Sequence, residues 1–413
     1  MWTSLPGLRI STGMLKVTLR WLLPASLITA TFAVCFCSLH QKTARPPGIS
    51  AEDWSAAEAV TARRLSRTPV SAEICLTLAR QAIRDHQPER ALACYAAIPA
   101  DDPQHGLQAE FELASLLLEQ ARAGAAEAGF RKIVDAAGGG VAVPGRQRLI
   151  ALRSLSLLYG VQMRTGQRAE ILRQLMDARQ ADVHEAKYYF FPSLLIWQND
   201  WGADRVRDWL KNEPNSRPLQ NAAARYLIGE GRPEEARARL EVLYGADSTD
   251  LETAAFLLEC CREQNDAARI HAICGNLPPE SAVEPLPLTE QRGAWLMDRQ
   301  EWREAEACFQ RLLQRDRANP VACQGLAECC ERLEQPERRQ RYLERTAVLA
   351  KLRVGLGPAV PDNPAAIQAV ANWCRQLEML DAAEAFDFFA GARTRLSGVK
   401  RTGAKERSGV HFR

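Results

Sequence analysis

The stretch LTEQRGAWLMDRQEWREAEACFQRLL, residues 288–313, contains the pattern that decides the fold of this 413-residue chain. Within it, the small residue Gly293 is followed twelve positions later by Ala305, and four positions after that by the large apolar Phe309. Small residues at this spacing can face each other across an antiparallel helix pair and let the two backbones approach closely. The large residue lies one turn further along the same helix face, so we expect it to fill the space between neighbouring helix pairs.

The same three-residue pattern occurs three more times along the chain. It is found at Ala79/Ala91/Tyr95, Ala114/Ala126/Phe130 and Ala224/Ala236/Leu240. The second members of the four triplets are separated by 35, 110 and 69 positions. These separations are close to one, three and two units of about 34–37 residues, which predicts a stacked array of helix hairpins, an all-α solenoid. Because no segment alternates apolar and polar residues over the length of a strand, we expect almost no β structure.

We predict nine hairpins from these patterns and from the breaks between them. They lie near residues 70–99, 104–136, 145–178, 182–212, 216–245, 249–275, 288–316, 319–352 and 364–395. Pro88 and Pro233 mark the starts of second helices, because proline is favoured at the first helical position. The proline-rich segment 277–287 cannot be helical, and the segments 138–145 and 355–364 also interrupt the array.

These repeats resemble the tetratricopeptide repeat (TPR). The residues that carry the resemblance are Gly293-Ala294-Trp295-Leu296, Glu304-Ala305 and Phe309, followed by Ala318-Asn319-Pro320 at the start of the next unit. The unit after Pro320 departs from the pattern, since Arg339 stands where a small residue is expected. The resemblance covers residues 70–396 and implies a binding or assembly scaffold rather than an enzyme. It also implies a protein or peptide partner in the groove of the solenoid.

By the same resemblance, groove-facing residues lie at fixed positions around the small residue on the first helix of each hairpin. The predicted partner-binding residues are Arg80, Arg84, Phe111, Glu119, Asn221, Arg225, Glu290 and Asp298. The alternative interpretation of these positions is a solvated helix face. Chaperone-binding members of the family use a lysine and asparagine clamp for a carboxylate, and Leu76 and Arg80 at the corresponding positions give that role no support.

The N-terminal region contains Trp21–Leu39, a stretch of nineteen residues without a charge. As a helix it would span about 28 Å, close to the ~30 Å thickness of the hydrocarbon core of a bilayer. We therefore predict a transmembrane anchor at residues 21–39, after a basic segment at 1–20 and before a linker and lead-in helix at 40–69. A cleaved signal peptide and a buried helix are the alternatives, and cleavage after Ala33 would leave an apolar remnant, Val34–Leu39.

Two features of the sequence disagree about the side of the membrane. Arg9, Lys16 and Arg20 precede the anchor and favour a cytoplasmic N-terminus, which would place the repeats outside a bacterial inner membrane. The chain also contains twelve cysteines, and adjacent ones such as Cys260-Cys261 point in different directions on a helix. They are predicted to be buried free thiols, which suit a reducing compartment. We predict a single-pass inner-membrane protein with the repeats outward, although the cysteines favour the other side.

Charge is distributed unevenly along the chain. Residues 1–45 carry +5 and residues 393–413 carry +6, so the total of +3 leaves −8 for the rest. The basic end, 397–413, is predicted to be a disordered solvated tail, and contact with anionic lipid head groups is the alternative. Phe412 is the only aromatic residue in this tail. Base stacking therefore has little support, and we expect no nucleic-acid partner.

No catalytic or cofactor-binding motif is present in the sequence. His184-Glu185 begins a metalloprotease motif, but Tyr188 stands where the second histidine belongs. The triple glycine at 138–140 lacks the lysine and hydroxyl residue of a phosphate-binding loop. Residues that could approach one another near a helix turn are Cys260, Cys261, His271 and Cys274. Ordinary helix packing explains them well, so we predict neither a metal site nor a cofactor.

Taken together, the sequence predicts a membrane-anchored TPR-like scaffold that binds a protein or peptide partner during assembly of an envelope complex. The alternative function is an accessory subunit of an enzyme system for envelope polysaccharide synthesis or export. An enzyme with an unrecognised site is a third and weaker possibility.

Overall fold

The computed structural model describes residues 71–138, 145–195, 202–281, 284–357 and 363–407. These residues form nineteen α-helices and no β-strand, which confirms the all-α prediction for this part of the chain. They belong to one of two compact units, Arg67–Arg413. The predicted anchor at 21–39 and its flanking segments, 1–20 and 40–69, lie outside the described residues. Within the described ranges, no helix has both the length and the apolar character needed to cross a bilayer.

The first three hairpins follow one another regularly. Their helices are α1 (Ala72–Arg84), α2 (Pro88–Ala96), α3 (Gly106–Glu119), α4 (Ala123–Gly138), α5 (Gly145–Val161) and α6 (Thr165–Asp177). Each of these helices packs against the one that follows it in the chain. The hairpins stack in sequence order as a result, at positions close to those predicted.

The fourth unit does not form the predicted hairpin at 182–212. It consists of α7 (Val183–Phe190), the single turn α8 (Pro192–Leu195) and α9 (Gly202–Asn212). Helix α7 packs against α6, whereas α9 packs against α5. Pro192 explains the interruption, because the residue before a proline is disfavoured in helical geometry and Phe191 has φ −133° and ψ 49°. The two longer helices of this unit therefore have different neighbours.

Five further hairpins complete the array. Their helices are α10 (Arg217–Gly229), α11 (Pro233–Ala246), α12 (Leu251–Glu263), α13 (Ala267–Gly275), α14 (Leu286–Asp298), α15 (Trp302–Arg315), α16 (Pro320–Arg332), α17 (Pro336–Gly355), α18 (Pro364–Gln376) and α19 (Leu380–Arg407). The first helices α10, α12, α14 and α16 also contact one another in order. Helix α19 continues past residue 396 to Arg407, where we expected a disordered tail.

The fourth unit also contacts the far end of the array. The ring of Phe191 stacks on that of Phe386 in α19, with 5.8 Å between their centroids. The Lys187 ammonium donates to the carbonyl oxygen of Gly357 at 3.4 Å. Leu194 and Leu195 belong to the same apolar cluster as buried residues of α16 to α19. The irregular unit thus joins the third hairpin to helices far along the sequence.

The four triplets occupy the packing positions predicted for them. All their members are buried. A Cβ atom added to Gly293 would lie 2.6 Å from the ring of Phe309, and one added to Gly325 in the next hairpin would lie 2.4 Å from the same ring. Phe309 is therefore wedged between two successive first helices, α14 and α16. Glycine at both positions is what admits the ring.

The turn inside each of the eight regular hairpins contains one residue in the left-handed region. These residues have φ between 54° and 75° and are His86, Ala121, Met163, Gly231, Asn265, Gln300, Glu334 and Glu378. Each lies two positions after a first helix, and the next N–H donates to the carbonyl five residues earlier, as Gln87 does to Ala82 at 2.8 Å. This hydrogen bond satisfies a carbonyl that the helix end leaves open. Only one of the eight residues is glycine, so packing of the hairpin imposes the turn.

The ten cysteines among the described residues are buried and form no disulfide. Burial raises the pKa of Cys274 to about 12 and that of Cys374 to about 12. These thiols therefore stay protonated at neutral pH and act as small packing residues. The prediction of buried free thiols is confirmed for this part of the chain. No group of histidine, cysteine or acidic side chains suited to a metal ion occurs within the described ranges.

Candidate functional site

Three predicted partner-binding residues lie at one end of their helices and are exposed. Arg84, Glu119 and Asp298 are the last residues of α1, α3 and α14. The Asp298 carboxylate accepts a hydrogen bond from Arg262 of the preceding first helix at 2.8 Å. Because all three share one position in the repeat, the register places them at the same end of the first helices. We call them the charged end, and they remain candidates for partner contact.

Arg80, another predicted partner-binding residue, has a partly exposed side chain and joins two hairpins. Its guanidinium donates two hydrogen bonds to the Glu112 carboxylate of α3, at 3.1 and 2.6 Å. The Tyr95 hydroxyl donates to the same carboxylate at 2.8 Å. Burial raises the pKa of Tyr95, and the negative charge of Glu112 raises it further. The phenol therefore stays protonated and remains a hydrogen-bond donor. The side chain of Arg80 is 39% exposed, so a partner could reach it only beside this network.

Phe111, Asn221 and Arg225 are buried, and our expectation that they face an open groove is wrong. Phe111 is 5% exposed, Asn221 2% and Arg225 6%. The Asn221 side chain accepts a hydrogen bond from the Thr253 hydroxyl at 3.0 Å. Arg225 pairs with Glu259 at 2.7 Å. The last two contacts join α10 to α12, because the next first helix packs over the positions that we expected to be open.

The sequence contains a signal that would have found these contacts. Opposite charges recur about one repeat apart on successive first helices. The pairs in the structure are Arg80 with Glu112, Arg225 with Glu259 and Arg262 with Asp298. Their separations are 32, 34 and 36 residues. A search for complementary charges at the repeat length would therefore have identified residues that form ion pairs between hairpins.

Glu290 belongs to a polar cluster where α8 meets the C-terminal hairpins. The Asn319 side-chain amide donates to Glu290 at 2.8 Å and to the Ser193 hydroxyl at 3.2 Å. Burial raises the pKa of Glu290 to about 7, against the opposing effect of the Asn319 hydrogen bond. Burial also raises the pKa of Asp316, and the carboxylate of Asp316 accepts a hydrogen bond from the side chain of Ser193. The chain's own fourth unit therefore contacts the first-helix face at the position of Glu290.

A small cavity lies between the third hairpin and the fourth unit. Its lining includes Tyr159, Gly160, Thr165, Arg168, Tyr188 and Pro192. The volume of the cavity is about 20 Å³. A cavity needs at least roughly 10–15 Å³ to hold one water molecule, so this one has room for a small group. The Arg168 guanidinium lies 3.8 Å from the centroid of the Tyr188 ring. The Nε atom of Arg168 is buried without a hydrogen-bond partner, and burial lowers the pKa of this guanidinium.

Comparison with known proteins finds similarity in structure only. No protein-family model matches the chain, and no curated protein matches it. A tetratricopeptide repeat protein from Parabacteroides merdae ATCC 43184 is 12% identical, with 62% of this chain and 98% of that chain covered and a TM-score of 0.30. The human IFIT1 dimer with PPP-AAAA is 12% identical, with 85% and 96% covered and a TM-score of 0.34. The TPR domain of P58(IPK) is 15% identical, with 82% and 99% covered and a TM-score of 0.27.

These similarities are distant, and the fold of this chain is established by its own geometry. Eight regular hairpins share one turn conformation, and the small and large residues of the four triplets are buried at their contacts. The described part of the chain is an all-α array of helix hairpins, an α-solenoid.

Proposed function

We propose that this protein is a non-enzymatic scaffold that binds a protein or peptide partner. The observation that supports the proposal most is the charged end, where Arg84, Glu119 and Asp298 are exposed at one repeat position. They lie in the first, second and seventh hairpins. A stack of hairpins presents such side chains on an extended surface, which suits recognition of an extended partner. Two of the three are acidic, so the proposal favours a partner segment that carries basic residues.

In its finer form, the proposal is a membrane-anchored scaffold for assembly of an envelope complex. The uncharged stretch Trp21–Leu39 supports the anchor, and the basic residues before it support repeats that face outward. The basic charge of residues 393–413 supports contact of that end with anionic lipid head groups. The alternative within the same setting is an accessory subunit of a polysaccharide synthesis or export system.

A pull-down from detergent extracts tests the partner directly. Full-length protein is compared with the double variant Glu119→Lys/Asp298→Lys, which reverses charge at the charged end. The control is Glu170→Lys/Asp177→Lys, which makes the same change at two exposed positions of α6. We expect the first variant to lose a protein that the wild type and the control both retain. Equal recovery by all three would contradict the proposed surface, and recovery of glycan-synthesis enzymes would favour the alternative function.

Membrane fractionation tests the anchor. We expect the full-length protein to remain in the membrane after carbonate extraction and a truncated protein beginning at Ala51 to be released. Mass spectrometry of the membrane-bound protein should find the intact N-terminus. Loss of the first thirty or so residues would show a cleaved signal peptide instead.

A further inference from the structure

Arg168 lacks an acidic partner among the described residues, in contrast to two other partly buried arginines of this protein. Arg164 pairs with Glu127 at 2.6 Å, and Arg292 pairs with Glu284 at 2.9 Å. Glu185, whose charge acts on Arg168, is hydrogen-bonded to Arg153 at 2.7 Å. Among the described residues, no carboxylate forms an ion pair with Arg168. A guanidinium withdrawn from water without an opposite charge is costly, which points to a ligand that supplies one.

The guanidinium of Arg168 lies close to two residues of different units. It lies against the Tyr188 ring, at 3.8 Å from the centroid. It also lies against Gly160, where an added Cβ atom would be only 2.8 Å from the Arg168 Cζ atom. Glycine is thus required for this close approach. The guanidinium also lines the cavity, and its buried Nε–H group is left without a hydrogen-bond partner.

The start of α6 adds positive potential to the same cavity. Thr165 is the first residue of this thirteen-residue helix and lines the cavity. The preceding residue, Arg164, makes no side-chain capping hydrogen bond, and its guanidinium is bonded to Glu127 instead. The N–H of Thr165 itself donates to the Met163 carbonyl at 3.0 Å, so the contribution of the helix start is the partial positive charge that the first N–H groups of a helix carry together. Two independent features, the fixed guanidinium and the helix start, therefore favour an anion at one place.

We propose that this cavity binds a single carboxylate group of the protein partner. A carboxylate is planar and can accept two parallel hydrogen bonds from one guanidinium. The space of about 20 Å³ suits one small group and excludes a ring. The inference rests on the proposed function only in assigning the carboxylate to a partner, as either an acidic side chain or a chain terminus.

Three short peptides and saturation-transfer NMR of the full-length protein test the proposal. Acetyl-Gly-Glu-Gly-amide offers only a side-chain carboxylate, acetyl-Gly-Gly-Gly offers only a terminal one, and acetyl-Gly-Gln-Gly-amide offers neither. We expect one acidic peptide to bind saturably in the millimolar range and the neutral peptide not to bind. Arg168→Met should weaken that binding by about tenfold or more. Arg173→Met, on the exposed face of the same helix, should leave it unchanged.

A second variant separates binding from a loss of structure. Gly160→Ala keeps the charge but places a Cβ atom against the guanidinium, so it should weaken binding while the helical circular dichroism is retained. Sodium acetate should also raise the melting temperature of the wild type above that in sodium chloride at equal ionic strength. Equal binding of all three peptides, or no difference between acetate and chloride, would overturn the proposal. These measurements need no natural partner, so their failure is distinct from failure of the pull-down.

Discussion

The hairpin α14–α15 and the fourth unit, α7 to α9, show two ways in which helices of one chain are held. In the hairpin, Phe309 packs between Gly293 and Gly325, so the contacts lie within one repeat length. In the fourth unit, Phe191 packs on Phe386, far along the sequence. The first kind of contact is encoded by a repeated pattern of small and large residues. The second arises where that pattern is absent and a proline ends the helix early.

This difference has a consequence for the molecule's surface. Successive hairpins cover much of their own first-helix face with inter-hairpin pairs such as Arg225 with Glu259. The fourth unit covers another part of that face through Ser193 and Asn319. Among the described residues, we therefore propose the charged end and the cavity beside Arg168 as the places where a partner binds.

Removing the long-range contact should have the largest effect on stability. Phe191 is 0% exposed, so Phe191→Ala should lower the free energy of unfolding by about 3–5 kcal/mol. Phe388→Ala serves as the control, because that ring is 67% exposed and its loss should cost less than about 1 kcal/mol. Urea unfolding followed by circular dichroism measures both. Equal effects would show that the contact between α7 and α19 does not stabilise the fold.

The buried ion pair of the regular hairpins should come next. Arg225→Ala leaves the Glu259 carboxylate without its partner and should cost about 3 kcal/mol. Arg84→Ala removes an exposed arginine at the end of α1 and should change stability by less than about 0.5 kcal/mol. Thermal unfolding of the two variants distinguishes an inter-hairpin contact from a groove position. A wild-type melting temperature for Arg225→Ala would restore it to the list of groove residues.

The glycine beside Phe309 gives a smaller expected change. Gly325→Ala places a methyl group 2.4 Å from the ring, which should overpack the contact and cost about 1–3 kcal/mol. Gly245→Ala is matched to it, since a Cβ there meets nothing within 4 Å inside α11. This control should be neutral or stabilise the helix by up to about 1 kcal/mol. Equal destabilisation by both variants would argue against close packing of the Phe309 ring on Gly325.

The polar cluster at Glu290 should make stability depend on pH. The folded-state pKa is raised from 4.5 to about 7, so the folded protein binds a proton more tightly than the unfolded chain does. Stability from this group is therefore fully present below the unfolded pKa and is lost as the pH rises through the folded one. Between roughly pH 6 and 7 the loss should be about 1 kcal/mol. Glu290→Gln should remove this slope in melting experiments, whereas Glu263→Gln on the exposed end of α12 should keep it.

Much of the fold could be predicted, and less of the candidate site. The positions of the eight regular hairpins and the burial of residues such as Ala305 follow from local periodicity. Arg84, Glu119 and Asp298 are exposed as expected from their fixed repeat position, and their contact with a partner stays a prediction. Asn221 and Arg225 were misassigned because the same spacing fits a groove residue and an inter-hairpin partner. Burial separates these two roles, and it depends on how closely consecutive first helices approach.

The sequence by itself determined that this protein is an array of helix hairpins with small residues at its contacts and buried thiols in its core. Those features repeat because a contact between residues about one unit apart requires the same residue types at a regular spacing along the sequence. Only the tertiary structure decided where the fourth unit lies, since Asn319 and Ser193 meet across 126 residues and no period connects them. It also decided the environment of Arg168, because Gly160 and Tyr188 belong to different units. The distance of Gly160 and Tyr188 from Arg168 depends on how their two units pack. That packing is set by the whole array and cannot be predicted from a local sequence pattern.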